Sequence, residues 1–214
     1  MLRHLFGAAT AVALLIADPA SAQSVHQEFY WRTPSMGVKI NYALPAICDT
    51  ATANAAATMN GMGVKFQLTG TTTHYTSQYV SADQDAGYVN IQPASGLGVI
   101  MRTQTYHYAN PTPPREAIDA LVLVNADRLY YVGDEVEQPT DLFCGHTLPA
   151  GGIGQRVDYQ SAMTHEFGHV FGMGHRSDGS TGPCLMTQYL RAGEVKRSYC
   201  PDERSLMLGF YDAR

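Results

Sequence analysis

Between residues 165 and 175 the chain reads His-Glu-Phe-Gly-His-Val-Phe-Gly-Met-Gly-His, and no other stretch limits the fold as tightly. The spacing is H-E-x-x-H-x-x-G-x-x-H. Residues four apart on an α-helix share a face, one turn apart. A helix here therefore puts His165 and His169 where both imidazoles reach one metal ion. Glu166 follows the first His and approaches a water at the metal without ligating it. Gly172 can take a left-handed conformation, end the helix and turn the chain back. That turn brings His175 towards the same ion as a third nitrogen ligand. Three ligands leave a fourth tetrahedral position open, which is the catalytic rather than the structural pattern.

Phe167, Val170 and Phe171 supply apolar residues to pack such a helix. The competing reading is an ordinary helix with hydrogen-bonded histidines and a glycine cap. It needs all five fixed positions of the motif to coincide by chance.

The chain begins with a short basic head and the apolar run Leu5–Ala17, followed by Asp18-Pro-Ala-Ser-Ala22. Ala20-Ser21-Ala22 has the small-x-small form of a cleavage site, so residues 1–22 are expected to be a secretory signal peptide. The mature part, 23–214, is expected to be one catalytic domain. The apolar run is too short to span a bilayer, and no later segment is long enough. The expected location is outside the cell, or the periplasm of a Gram-negative cell.

Net charge is −5, from 14 Lys and Arg against 19 Asp and Glu, which makes no case for nucleic acid or an anionic membrane as partner. With 45% hydrophobic and 15% charged residues the chain is globular rather than disordered. A monomer is expected.

Val38–Leu44 alternates apolar and polar residues and predicts a strand. Asp49 is expected to cap an Ala-rich helix over 50–59, broken by Gly61 and Gly63. Val64–Leu68, Tyr88–Ile91, Gly98–Tyr106 and Ile118–Val124 predict four more strands, the last of them central. Residues 23–37 read as an entry segment. Residues 69–87 read as loop with a short extended piece near 75–80, 110–114 as a proline-rich turn and 133–156 as a long loop. Asp158 or Ser161 precedes the metal helix. Residues 191–200 read as loop, and Pro201–Tyr211 as a final helix whose first turn carries Pro and two acids. Leu206 and Phe210 are its expected buried stripe.

At the extended motif the sequence resembles the metzincin clan of zinc metallopeptidases. The clan pairs that motif with a downstream methionine turn beneath the metal, and Pro183-Cys-Leu-Met-Thr187 is the candidate, with Met186 as its methionine. The resemblance implies an α+β, zincin-like catalytic domain. Its twisted, mixed, five-stranded sheet carries a backing helix between the first two strands, a metal-binding helix and a C-terminal helix. Small bacterial matrixin-like proteases are the nearest likeness. The Cys around the turn and Asp202-Glu-Arg-Ser are similar to snapalysins, although their third ligand is Asp where this chain has His175. Arg176 departs from the Ser usual in matrixins. Gln188 stands where astacins and serralysins place an extra Tyr ligand, and Tyr189 is one residue further on. The Cys-containing pro-segment of matrixins has no counterpart between Gln23 and the domain.

Four Cys suit an exported protein with two disulfides, and they allow three pairings among which the sequence does not choose. Cys184–Cys200, closing a local loop beside the candidate turn, is the favoured pair, and Cys48–Cys144 follows. No C-x-x-C spacing supports a Cys-based zinc site.

The expected chemistry is zinc-dependent hydrolysis of peptide bonds. One Zn²⁺ on His165, His169 and His175 acidifies a water, and Glu166 serves as general base. The partner is then a protein or peptide in extended form, paired to the edge strand near 98–106. Tyr189 and Leu190 would wall the pocket beyond the cut bond. Two other readings stand beside this one. One is a zinc hydrolase of a non-protein or cell-wall amide, and the other is a non-catalytic, zinc-stabilised binding domain. His4 leaves with the leader, and His26, His74, His107 and His146 lack ligand spacing. Asp83 and Asp85 are the pair a Ca²⁺ would use, but with so few oxygens nearby a solvated turn is the expectation.

Overall fold

The computed structural model describes residues 28–31, 35–41, 43–72, 88–107, 115–131, 141–176 and 182–211. The expected leader, His4, His26, His74, Asp83, Asp85, the extended piece at 75–80 and the proline turn at 110–114 lie outside these residues.

The chain is mixed α and β. The elements up to the main sheet's end are β1 (Phe29–Trp31), β2 (Ser35–Asn41), helix α1 (Asp49–Asn60), β3 (Lys65–Thr72), β4 (Tyr88–Ala94), β5 (Met101–His107) and β6 (Arg115–Asn125). Five strands lie in the order β3-β2-β4-β6-β5, and β1 joins at the start of β6. All pairs are parallel except β5 with β6. The middle place in this order belongs to β4 rather than to β6, but β6 is interior, paired with β4 and β5, and its apolar run suits that place: Leu121–Val124 are all buried.

The register aligns one apolar face. Ile40 pairs with Ile91 and Ile91 with Val122, while Val38 pairs with Val89 and Val89 with Ala120. All six are buried. Residues two apart on a strand share a face, so this alternation alone builds a wall for helices. Against it pack α1 and α2 (Tyr159–Val170). Ala51, Ala55 and Ala56 keep α1 slim where it meets α2, and Met59 fills the end of that contact. Phe66 of β3 seats its ring 4.4 Å from Phe167 and 5.2 Å from Phe171. Burying each such ring contributes about 1.5–3 kcal/mol.

Several expectations shift. β2 is 35–41 rather than 38–44, because the alternation already starts at buried Met36 and the chain turns off before Leu44. Asp49 does not cap α1. Cys48 is the N-cap, with no side-chain cap bond, and Asp49 is the first helical residue, where a negative charge still suits the helix dipole. β3 runs on through 69–72, since a bulge opposite Val38 and Lys39 absorbs Thr69 and pairing resumes at Gly70. The segment read as entry holds β1, and residues 98–100 are a bend preceding β5.

The loop expected over 133–156 contributes to a second, three-stranded parallel sheet. It consists of β7 (Tyr130–Tyr131), β8 (Leu142–Phe143) and β9 (Val157–Asp158). Two-residue strands carry no readable period. Helix α3 (Pro201–Tyr211) matches its expected bounds, but its buried face is Glu203, Met207 and Tyr211, with Leu206 and Phe210 flanking it. The stripe begins on a buried carboxylate, which hydropathy cannot predict.

The sulfurs of Cys48 and Cys144 are bonded, as are those of Cys184 and Cys200, with Cα–Cα distances of 4.8 and 5.3 Å. Among the described residues, no helix is long and apolar enough to cross a membrane.

Candidate metal centre

Helix α2 starts on Asp158, whose carboxylate accepts from the Ser161 backbone N–H at 2.9 Å and from the Ser161 hydroxyl at 2.6 Å. Of the two candidates for this cap, the structure selects Asp158. Arg197 grips the same buried carboxylate from outside through Nε at 2.8 Å and Nη2 at 2.6 Å.

The helix ends after Val170 in a Schellman pattern. Gly172 has φ +90°, its N–H donates to His169, and the Met173 N–H donates to Gly168. The last carbonyls of the helix and of the turn after it are met from elsewhere in the chain. Trp31 Nε1 donates to Val170 O at 2.6 Å, Tyr211 Oη to Phe171 O at 3.1 Å and Glu28 N to Gly172 O at 2.7 Å. Glu28, Trp31 and Tyr211, from segments far before and after it in sequence, thus hold the turn that redirects the chain towards His175.

That turn brings the three histidines together. His165 Nε2 lies 3.0 Å from His169 Nε2 and 3.3 Å from His175 Nε2, and the last two are 3.1 Å apart. His165 Nδ1 donates to Leu185 O and His169 Nδ1 to Met173 O, each at 2.7 Å. A carbonyl only accepts, so both Nδ1 atoms carry the proton and both Nε2 atoms carry lone pairs. Burial, with His169 as the next cause, holds the His165 imidazole down to about 3, so it stays neutral. Lone pairs this close repel one another unless a cation sits among them. Tetrahedral coordination at about 2.0–2.1 Å per nitrogen sets N–N edges of about 3.3–3.4 Å, and the observed triangle is within a few tenths of that. The donor set fits one metal ion.

Glu166 is buried, and Thr103 Oγ1 donates to its Oε2 at 2.6 Å. Burial raises the Glu166 carboxyl above the usual carboxylate range, against the opposing pull of His169 and of the Thr103 bond. Thr103 faces this carboxylate with its backbone N–H as well as with its hydroxyl, and both favour the charged form.

The three histidines, Glu166 and Thr103 line a cleft of about 810 Å³. Gly98–Arg102 form one wall, and Gln188, Tyr189 and Leu190 line it as well. Tyr189 is 57% exposed. Met186 is fully buried behind this floor. Its Sδ stands 2.5 Å from where a Cβ on Gly168 would sit, so the glycine is what lets the methionine approach the helix. The Met186 carbonyl accepts from the Arg176 N–H at 2.9 Å, tying this segment to the residue after His175. His146 is exposed, and His107 closes β5; neither joins the group.

Sequence reasoning missed Thr103, Glu203, Gly168 and the Trp31–Tyr211 pair. Trp31 is the chain's one tryptophan, which was a signal for a packing anchor. The others are ordinary residues whose partners are distant in sequence.

Compared with known protein families and with curated proteins, the chain matches none.

Proposed function

We propose that this chain is a secreted zinc endopeptidase of the metzincin kind, acting on extended polypeptides. The observation that carries the reading is the convergence of three imidazole Nε2 atoms on one point, beside a buried carboxylate on a cleft floor. Neutral imidazoles with a fourth position open suit zinc in its catalytic form. Zinc, when bound, supplies Lewis acidity and brings the pKa of a coordinated water towards neutrality.

The chain's own residues supply the rest. Glu166 takes a proton on Oε1, the oxygen that the Thr103 hydroxyl does not hold, and returns it to the leaving amine. The Leu185 and Met173 carbonyls hold two imidazoles in their ligating tautomer. β5 pairs, among the described strands, with β6 alone, so its other edge is where a substrate backbone would add as a strand. Tyr189 and Leu190 would take an apolar side chain beyond the cut bond.

Support for the clan comes from the H-E-x-x-H-x-x-G-x-x-H spacing, the Gly172 turn, Met186 packed on the metal helix and the final helix α3. Secretion draws on the leader-like start and on two disulfides, which persist in oxidising compartments.

The test is digestion of an unfolded protein by residues 23–214 with zinc, read by mass spectrometry, with Glu166→Ala in parallel. Cleavage by wild type alone is expected. Equal cleavage by the variant would remove Glu166 from the mechanism. A wild type that binds zinc and cleaves nothing would favour a binding role.

A further inference from the structure

Thr103 stands where the sheet's apolar face offers no reason for a hydroxyl. In the antiparallel β5–β6 pair it is opposite Val122, which pairs with Ile91, which pairs with Ile40. Directly opposed residues share a face, so Thr103 ends a row of three buried aliphatic side chains. A valine of the same shape would continue that row. The hydroxyl instead reaches out of the sheet to α2, with Glu166 Oε2 at 2.6 Å and Glu166 O at 3.1 Å. One hydroxyl has one proton. The shorter contact, to a carboxylate, is the stronger bond and takes it.

We propose that Thr103 is the positioning residue for Glu166, fixing its carboxylate so that Oε2 is held and Oε1 is the oxygen that exchanges the proton. The inference rests on the hydrolase reading above and adds a residue that the H-E-x-x-H spacing does not contain. Its physical basis is entropy and geometry. A glutamate has three rotatable bonds, and a base must lie within hydrogen-bond reach of the proton it takes. Thr103 also sits on the strand whose outer edge would receive the substrate. Substrate alignment and base alignment therefore share one rigid element.

The experiment compares wild type, Thr103→Val and Thr103→Ser, each as residues 23–214 loaded with zinc. Three things are measured: kcat and KM on an extended fluorogenic peptide, zinc content, and the Glu166 side chain in a crystal structure. Valine is expected to lower kcat about 10- to 100-fold, with KM and zinc content near wild type. Serine, which keeps the hydroxyl and loses the methyl, is expected to stay within about 3-fold of wild type. The Glu166 carboxylate should keep one rotamer in wild type and the serine variant and scatter in the valine variant. A valine variant with wild-type kcat and an unmoved Glu166 would overturn the inference. So would a serine variant as slow as valine, since packing would then be the cause. A wild type that cleaves no peptide would sink the hydrolase reading instead, and the Glu166 rotamer would still decide the positioning.

Discussion

Glu203, whose carboxylate is fully buried, accepts a hydrogen bond from the backbone N–H of Met186 at 2.8 Å. The same carboxylate accepts from Cys200 N at 2.8 Å and Leu185 N at 3.4 Å, with Arg176 Nη1 3.8 Å away. Arg176 itself bonds Asp202 at 2.5 Å. One residue of α3 thereby holds the turn whose Leu185 carbonyl orients His165, and it faces the residue that follows His175. Burial raises the Glu203 carboxyl above the usual range, while these three N–H groups and the guanidinium pull it back.

Glu203→Gln keeps the shape but turns an amide NH₂ towards backbone N–H groups. Leaving buried donors unmet should cost about 3 kcal/mol, or about 6–12 °C in Tm for a chain of this size. Because the Leu185 carbonyl loosens, zinc affinity should fall about 10- to 100-fold. Calorimetry and competition with a zinc chelator check both. An unchanged Tm would show that the turn holds its own shape.

Two glycine substitutions should move stability in opposite directions. Gly172→Ala puts a Cβ at φ +90° and is expected to cost about 1–2 kcal/mol and to weaken metal binding by displacing His175. Gly209→Ala lies in α3, where a Cβ meets nothing within 4 Å, and should add up to about 1 kcal/mol from helix propensity. Urea unfolding of the two variants gives the signs directly.

The disulfides differ in what they close. Cys48–Cys144 spans 96 residues and Cys184–Cys200 spans 16. On chain entropy, replacing the first pair by Ala should cost about 4–5 kcal/mol and the second about 3 kcal/mol. The second alone should also lower zinc affinity, since Cys184 and Cys200 flank the segment that Glu203 holds. Equal zinc affinity in both double variants would separate that disulfide from the metal centre.

Alkali should unfold the chain through its tyrosines. Burial pushes Tyr130 up to about 12, Tyr159 higher still, and Tyr199 well above its ordinary value. Their hydroxyls bond Asn125 O, Thr52 Oγ1 and Thr164 O respectively. Above the unfolded value of about 10, the unfolded chain releases protons that the folded chain keeps. It then binds fewer protons, so stability falls as pH rises, and the contribution is whole only below about pH 10. Tyrosinate absorbance should show these three titrating only with unfolding. Early, reversible ionisation of all tyrosines in folded protein would contradict it.

What was legible in the sequence is local. Helical spacing put His165 and His169 on one face, and a glycine three residues later ended the helix, because both effects act within one or two turns. The strand alternation of Val38 and Ile40, the Ala-rich helix and the bounds of α3 were legible for the same reason. What only the tertiary structure decided joins residues far apart in sequence. Thr103 meets Glu166 across 63 positions, Trp31 meets Val170 across 139, and buried Glu203 opens the face of α3 that hydropathy would assign to Leu206 and Phe210. Side-chain pattern records which face is buried. It does not record which backbone groups that face must satisfy, and those bonds are what hold the three imidazoles and Glu166 in place.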